Sequence, residues 1–366
     1  MEEKLFIILR LGLDITNTSD EPIRLFKGMT EKELEELRLL SQEQGVGGIC
    51  FSGIQKVITA LGQEGQSLMD TMAYLKWLGM TAKRAQLNEQ QIQTTERMAE
   101  EWGKEGIKMV LMKGQANGLN YPNPMHREKG DVDVFLIRDG RCAYAEGNEA
   151  ARKMGMHVDD SWYKHSVISA NGESVENHQY FVHTRDGKRG KNLDKTLREL
   201  VFVDKYETYP DSEILLPPVM FNALFLTYHA LAHFVSEGMH LKQIVDWVMF
   251  LKKYGNDIDW VALRKMCEEF NLRVFLECTN LIASKYFRLT NVTSLFAEYA
   301  DLSERIMTSI FNDKDFVFGS GEGNWHNRWH LITNLFKYRW KYEEVYETSI
   351  WKQIWYYATG FIFKTE

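Results

Sequence analysis

The sequence predicts an α+β chain in which a small α/β unit sits between two helical regions. Three patterns carry that reading. Long proline-free stretches with apolar residues at helical spacing flank the middle of the chain. Two short apolar runs, residues 107–112 and 130–137, are separated by a loop rich in Gly, Asn and Pro. Further on, Asn171-Gly172 joins two β-capable runs. Asn-Gly is the strongest two-residue hairpin signal, because both residues tolerate positive φ.

The elements follow in order. Residues 31–44 form a helix with Thr30 as its N-cap. Residues 66–104 lack proline and read as one or two helices. The run 107–112 is a short buried strand and 130–137 a second. The hairpin pairs 165–170 with 174–182. The chain then becomes less readable until Leu215-Leu216-Pro217-Pro218, and from Val219 onward the pattern is helical: 221–235, 242–254, 259–287, and two or more helices beyond. Five of the six prolines cluster between these stretches, with Pro22 alone, as their exclusion from helix interiors requires. This divides the chain into a helical region over 1–88, an α/β core over 89–212 and a helical region over 213–366.

With 44% hydrophobic and 26% charged residues, the composition is that of an ordinary globular chain. A net charge of −7 and a pI near 5.9 argue against a general binder of extended nucleic acid, which carries a basic footprint. The four cysteines are scattered without Cys-x-x-Cys spacing, a pattern that suits a reducing cytoplasm. The N-terminal apolar run 5–13 has an acidic leader and is interrupted by Arg10, so an ordinary first helix is expected rather than a signal peptide. Residues 219–235 are the most apolar stretch, but they contain His229 and His233 and are short for a membrane span. A soluble protein is expected.

The chemistry concentrates in Lys113-Gly114 and in Gly130-Asp131-Val132-Asp133. Side chains at i and i+2 of a strand share a face, so Asp131 and Asp133 stand side by side. Two carboxylates that close are costly unless a cation lies between them. The bland alternative is a solvated strand edge. Two other Asp-x-Asp triplets serve as controls. Asp257–Asp259 ends with an expected N-cap for a helix starting at Trp260, and Asp313–Asp315 lies in a polar turn. Only the first triplet opens an apolar strand. Apolar residues on both faces of that strand imply that it is covered on both sides, leaving the aspartates at the mouth of a crevice.

The run KGQANGLNYPNPMHREKGDVDVFL resembles the family labelled "uncharacterised nucleotidyltransferase" of the polymerase-beta superfamily. The family's Lys-Gly, Tyr-Pro, Arg and Gly-Asp-(Ile/Val)-Asp fall on Lys113-Gly114, Tyr121-Pro122, Arg127 and Gly130–Asp133. The resemblance runs from Glu36 to Leu251, including His229, His233-Phe234 and Asp246-Trp247, with Lys242 where Arg is more usual. It implies a small mixed sheet with flanking helices. It also implies that Asp131 and Asp133 hold two Mg²⁺ ions, spaced about 3.5–4 Å in such sites. Gly114 would let the backbone approach an NTP triphosphate, and Lys113 would neutralise a phosphate charge. The superfamily's usual Gly-Ser is Gly114-Gln115 here.

Val175-Glu176-Asn177-His178 resembles the family's Val-Glu-x-His, which makes Glu176 the expected third catalytic and metal-binding carboxylate and Glu173 its rival. Arg127 is either a phosphate ligand or a cap for the loop. Tyr121 belongs to a rigid turn, with stacking on a base as its functional alternative. His229 and His233 sit at i and i+4, but the zinc-peptidase pattern needs Glu after the first His and this chain has Ala230. They are expected to hydrogen-bond, with Asp246 as a partner, or to wall the nucleotide or acceptor site. The aromatic stretch 325–355 is expected to pack as core, with a dimer surface or a lid as alternatives.

The implied activity is Mg²⁺-dependent transfer of a nucleoside monophosphate from an NTP to an acceptor hydroxyl. Phosphoryl transfer uses similar metal chemistry. The alternative of a different class is a silent nucleotidyltransferase fold acting as a binding or regulatory module with a protein partner.

Overall fold

The structure, a computed structural model, describes residues 1–184, 187–236, 238–290, 297–312, 335–352 and 354. Five helices come first: α1 (Glu2–Gly12), α2 (Glu31–Glu43), α3 (Gly47–Leu61), α4 (Gln63–Met69) and the long α5 (Met72–Lys104). Thr30 caps α2 in a full capping box: Glu33 N donates to Thr30 Oγ1 and Thr30 N donates to Glu33 Oε2 at 2.9 Å.

The α/β unit follows, with β1 (Lys108–Met112), α6 (Lys113–Gly118), β2 (Val132–Arg138), β3 (Arg141–Cys142), α7 (Tyr144–Lys153), β4 (His157–Asp159), β5 (His165–Ala170) and β6 (Glu173–His178). The second hairpin strand stops at His178 rather than running to Val182. There Phe181 N leaves the ladder and donates to Asp194 Oδ1 at 2.7 Å. Asn171 and Gly172 take φ of 50° and 80°, as an Asn-Gly hairpin turn demands.

Helices complete the described chain: α8 (Lys188–Val201), α9 (Val219–Ser236), α10 (Leu241–Tyr254), α11 (Trp260–Glu269), α12 (Arg273–Phe287) and α13 (Ala300–Asn312). The helical stretch 259–287 breaks at Asn271, whose φ of 58° cannot continue a helix. Asp259 caps α11, its Oδ1 accepting from Ala262 N at 2.9 Å. Asp313–Asp315 lies outside the described residues. In the aromatic C-terminal stretch, Leu335, Tyr338, Tyr342 and Val345 are buried, while 325–334, 353 and 355 lie outside the described residues.

The sheet order is β1-β2-β6-β5-β4, with β3 paired to β2. Among the described strands β2 and β6 pair in parallel and the other pairs are antiparallel. Each face of the sheet has its own core. Val132, Val134, Leu136, Ile168 and Val175 pack with Met98 and Trp102 of α5 and Ala150 and Ala151 of α7. Val110, Met112, Phe135 and Ile137 join a larger cluster that includes residues of α1, α3, α9, α10 and α12. The double covering expected for β2 is therefore present.

One helix, α9, is long and apolar enough to cross a membrane by length and composition. Of that window 67% is buried inside the fold, as in a core helix, and α9 packs against α8, α10 and α11.

Candidate functional site

The site grows from one register. Met112, the last residue of β1, pairs with Asp133 of β2, and Asp133 pairs across the parallel ladder with Glu176 of β6. Because β1 ends there, Lys113 emerges beside Asp133, and its Nζ lies 2.7 Å from Asp133 Oδ1. Lys113 and Gly114 both take positive φ, 41° and 26°. A Cβ on Gly114 would meet Asp131 O at 3.3 Å, so the turn packs tightly against the start of β2. Asp131, Asp133, Glu176, Lys113 and Gly114 line one open cleft. Glu173, the rival third carboxylate, is instead tied to Lys129 Nζ at 2.7 Å and Gln91 Nε2 at 3.1 Å.

Arg127 lines the same cleft, but its guanidinium grips Asp246 at both oxygens, Nε–Oδ1 at 2.8 Å and Nη2–Oδ2 at 2.7 Å. Tyr121 donates to the same Oδ1 at 2.6 Å and is itself buried, which removes it as a base-stacking surface. Asp246 is therefore committed to Arg127 and Tyr121, not to the histidines as the sequence led us to expect. His229 and His233 face each other instead, Nε2 to Nε2 at 3.2 Å, on the wall of the cleft.

The chain belongs to the nucleotidyltransferase family described as "Uncharacterised nucleotidyltransferase". The family matches residues 30–288, which extends the resemblance through α12. No curated protein and no solved structure matches the chain.

Within this cleft the three carboxylates differ. At Asp133, burial works to raise the pKa, but the Lys113 ammonium and the His178 bond outweigh it and hold the carboxyl well below the usual range. Glu176 is also lowered: burial and the Asp133 charge raise it, and the bond from His178 together with the His178 and His165 charges outweighs them. Asp131 moves the other way, raised by burial and then by the charges of Glu176 and Asp133. Lys113 thus neutralises only part of the acidic cluster. Three converging carboxylates with oxygen-only donors suit a hard divalent cation such as Mg²⁺.

Around this acidic centre stands a basic wall that the sequence did not reveal. Lys164 is pushed down to about 8, by burial first and by the Lys113 charge next. Burial, then the charge of Arg127, lowers Lys242, and burial, then the charge of Lys164, holds His183 down to about 4. Burial is the first cause in each, and a polyphosphate entering the cleft would favour the charged forms. Lys164 just precedes β5 and His183 follows β6, positions that no motif marks.

Proposed function

We propose that this chain is a metal-dependent enzyme that moves a nucleoside monophosphate from an NTP to an acceptor hydroxyl, releasing pyrophosphate. The observation that carries the reading is the register of Asp133 with Glu176, which gathers three carboxylates into the cleft lined by Lys113 and Gly114. Asp131, Asp133 and Glu176 would hold Mg²⁺, which when bound supplies charge stabilisation at the transferring phosphate and lowers the acceptor's pKa.

The protein's own groups do the rest. Lys113 places a positive charge beside Asp133 and on the path to the triphosphate. Lys164 and Lys242, which line the same cleft, would balance the remaining phosphate charge. Arg127 acts through Asp246: the pair fixes the loop between β1 and β2, with Asn88 Nδ2 bracing it at Met125 O and Arg127 O at 2.8 and 2.9 Å. A carboxylate next to the reacting phosphate takes the acceptor's proton.

The test is the thermal stability of the wild type and of Asp131→Asn/Asp133→Asn with each NTP, with and without Mg²⁺. A ligand at a hundred times its Kd adds about 2.7 kcal/mol, a readily measured shift. A Mg²⁺-dependent shift with one NTP, absent in the double variant, supports the reading and names the donor base. If no NTP shifts either protein, the enzyme reading falls and the fold is a binding module for a protein partner. The nucleotide product then separates nucleotidyl from phosphoryl transfer.

A further inference from the structure

Glu176 has a second set of neighbours. Across the β5–β6 hairpin it pairs with Val167, and two residues along, His165 pairs directly with His178. Period-2 alternation puts His165, Glu176 and His178 on the same sheet face as Asp133. The two imidazole rings lie 5.1 Å apart between centroids. One ligand atom from each of His165, Glu176 and His178 falls within 4.8 Å of the others.

Two features of these side chains are unexplained by packing alone. His178 is fully buried, and its Nδ1 lies 3.1 Å from Tyr180 O, a contact that only an Nδ1–H can make. Its Nε2 lies between two carboxylates, 3.0 Å from Asp133 Oδ1 and 3.3 Å from Glu176 Oε2. A cation held among them would take the imidazole nitrogen and the carboxylate oxygens as ligands. A backbone carbonyl on the far ring nitrogen is the usual support of a metal-ligating histidine. The second feature is His165 Nδ1, which is buried, lacks a hydrogen-bond partner and sits 3.5 Å from Glu176 Oε2. Buried polar atoms are rarely left so.

We propose that His165, His178 and Glu176 form a site for a first-row transition cation, of the Mn²⁺, Co²⁺ and Zn²⁺ class, alongside the Asp131–Asp133 pair. Imidazole nitrogens favour such ions over Mg²⁺, which prefers an all-oxygen shell. Because Glu176 is shared, the site's part in catalysis rests on the nucleotidyltransferase reading, but its existence does not. The competing arrangement is the His178–Asp133 hydrogen bond with no ion beside it, in which His165 plays no part.

The full chain, stripped of metal, is titrated with Co²⁺ alone and with Mg²⁺ alone, by calorimetry and by visible absorption. Co²⁺ should bind at least about tenfold more tightly than Mg²⁺ and give ligand-field bands. His165→Gln should weaken Co²⁺ about 10–100-fold and alter those bands while leaving Mg²⁺ affinity in place. Equal affinities for the two ions, or a His165→Gln protein that binds Co²⁺ as the wild type does, would overturn the proposal. His178 is deeply buried and its variants are prone to misfold, so His165→Gln carries the test. If the Mg²⁺-dependent NTP shift persists while Co²⁺ ignores His165, this inference alone falls. If Co²⁺ binds through His165 and no NTP binds, the mixed site stands and the nucleotidyltransferase reading falls.

Discussion

Asp133 is where opposing forces meet in this protein. Its side chain is only 6% exposed, and an unpaired carboxylate there would cost several kcal/mol. Lys113 and His178 reverse that penalty, so the folded-state pKa lies below the unfolded value. A depressed acid contributes stability that is present above its unfolded pKa, about 3.9, and that is lost as pH falls through the folded value. Replacing Lys113 with Met leaves the carboxylate with His178 alone and should cost on the order of 3 kcal/mol at neutral pH. Urea denaturation of both proteins as a function of pH checks the sign. The difference should be full above about pH 4 and shrink only below it; a difference that grows on acidification would contradict the assignment. The pairing was half legible in the sequence. Lys113 and the two aspartates stand in one motif, but His178 reaches Asp133 only because β2 and β6 lie side by side, 45 positions apart in sequence. The Arg127–Asp246 pair spans 119 positions, and no local pattern announces it.

At the scale of elements, the legible parts are those with a local physical cause: the Thr30 capping box, the Asn171-Gly172 turn and the Lys113-Gly114 turn. The segment after β6 was not legible because its contacts are distant. Leu215 N donates to Met109 O at 2.8 Å and Leu111 N donates to Leu215 O at 2.9 Å, so this irregular stretch covers the open edge of β1. Two glycines separate a structural from a functional role for such junctions. A Cβ on Gly53 would lie 1.8 Å from Ile8 O, where α3 crosses α1, so Gly53→Ala must force the helices apart at about 1–3 kcal/mol. Gly114 takes a φ of 26° and meets only Asp131 O, at 3.3 Å, so Gly114→Ala brings backbone strain of about 1–3 kcal/mol at the cleft itself. Denaturation and NTP-dependent melting together distinguish them. Gly53→Ala should lose stability and keep the nucleotide shift, and Gly114→Ala should lose the shift. Loss of the shift in both would mean that the turn has no special part in binding.

For the molecule as a whole, the two helical regions are not separate from each other. Arg10 of α1 is buried and grips Glu21 at 2.6 and 2.7 Å while donating to Tyr286 O of α12 at 2.9 Å. Gln44, just past α2, donates to Ile310 O of α13 at 3.1 Å and accepts from Leu241 N of α10 at 3.1 Å. The family match begins at residue 30, so α1 lies outside it, yet Leu5, Ile7, Ile8, Leu9, Leu11 and Leu13 are all 0% exposed. The sequence showed this stretch as an apolar run and could not show its partner, because α12 lies some 270 residues away. Burying one such side chain contributes about 1.5–3 kcal/mol. Six of them together are comparable with the net stability of a typical domain, about 5–15 kcal/mol. A chain starting at residue 30 should therefore keep its helices but lose fixed packing. Its far-UV circular dichroism should stay helical, its near-UV signal should vanish and it should bind a hydrophobic dye, unlike the full chain. A truncated protein that unfolds cooperatively with a native near-UV spectrum would show instead that residues 30–288 hold their own core and that α1 is an addition to it.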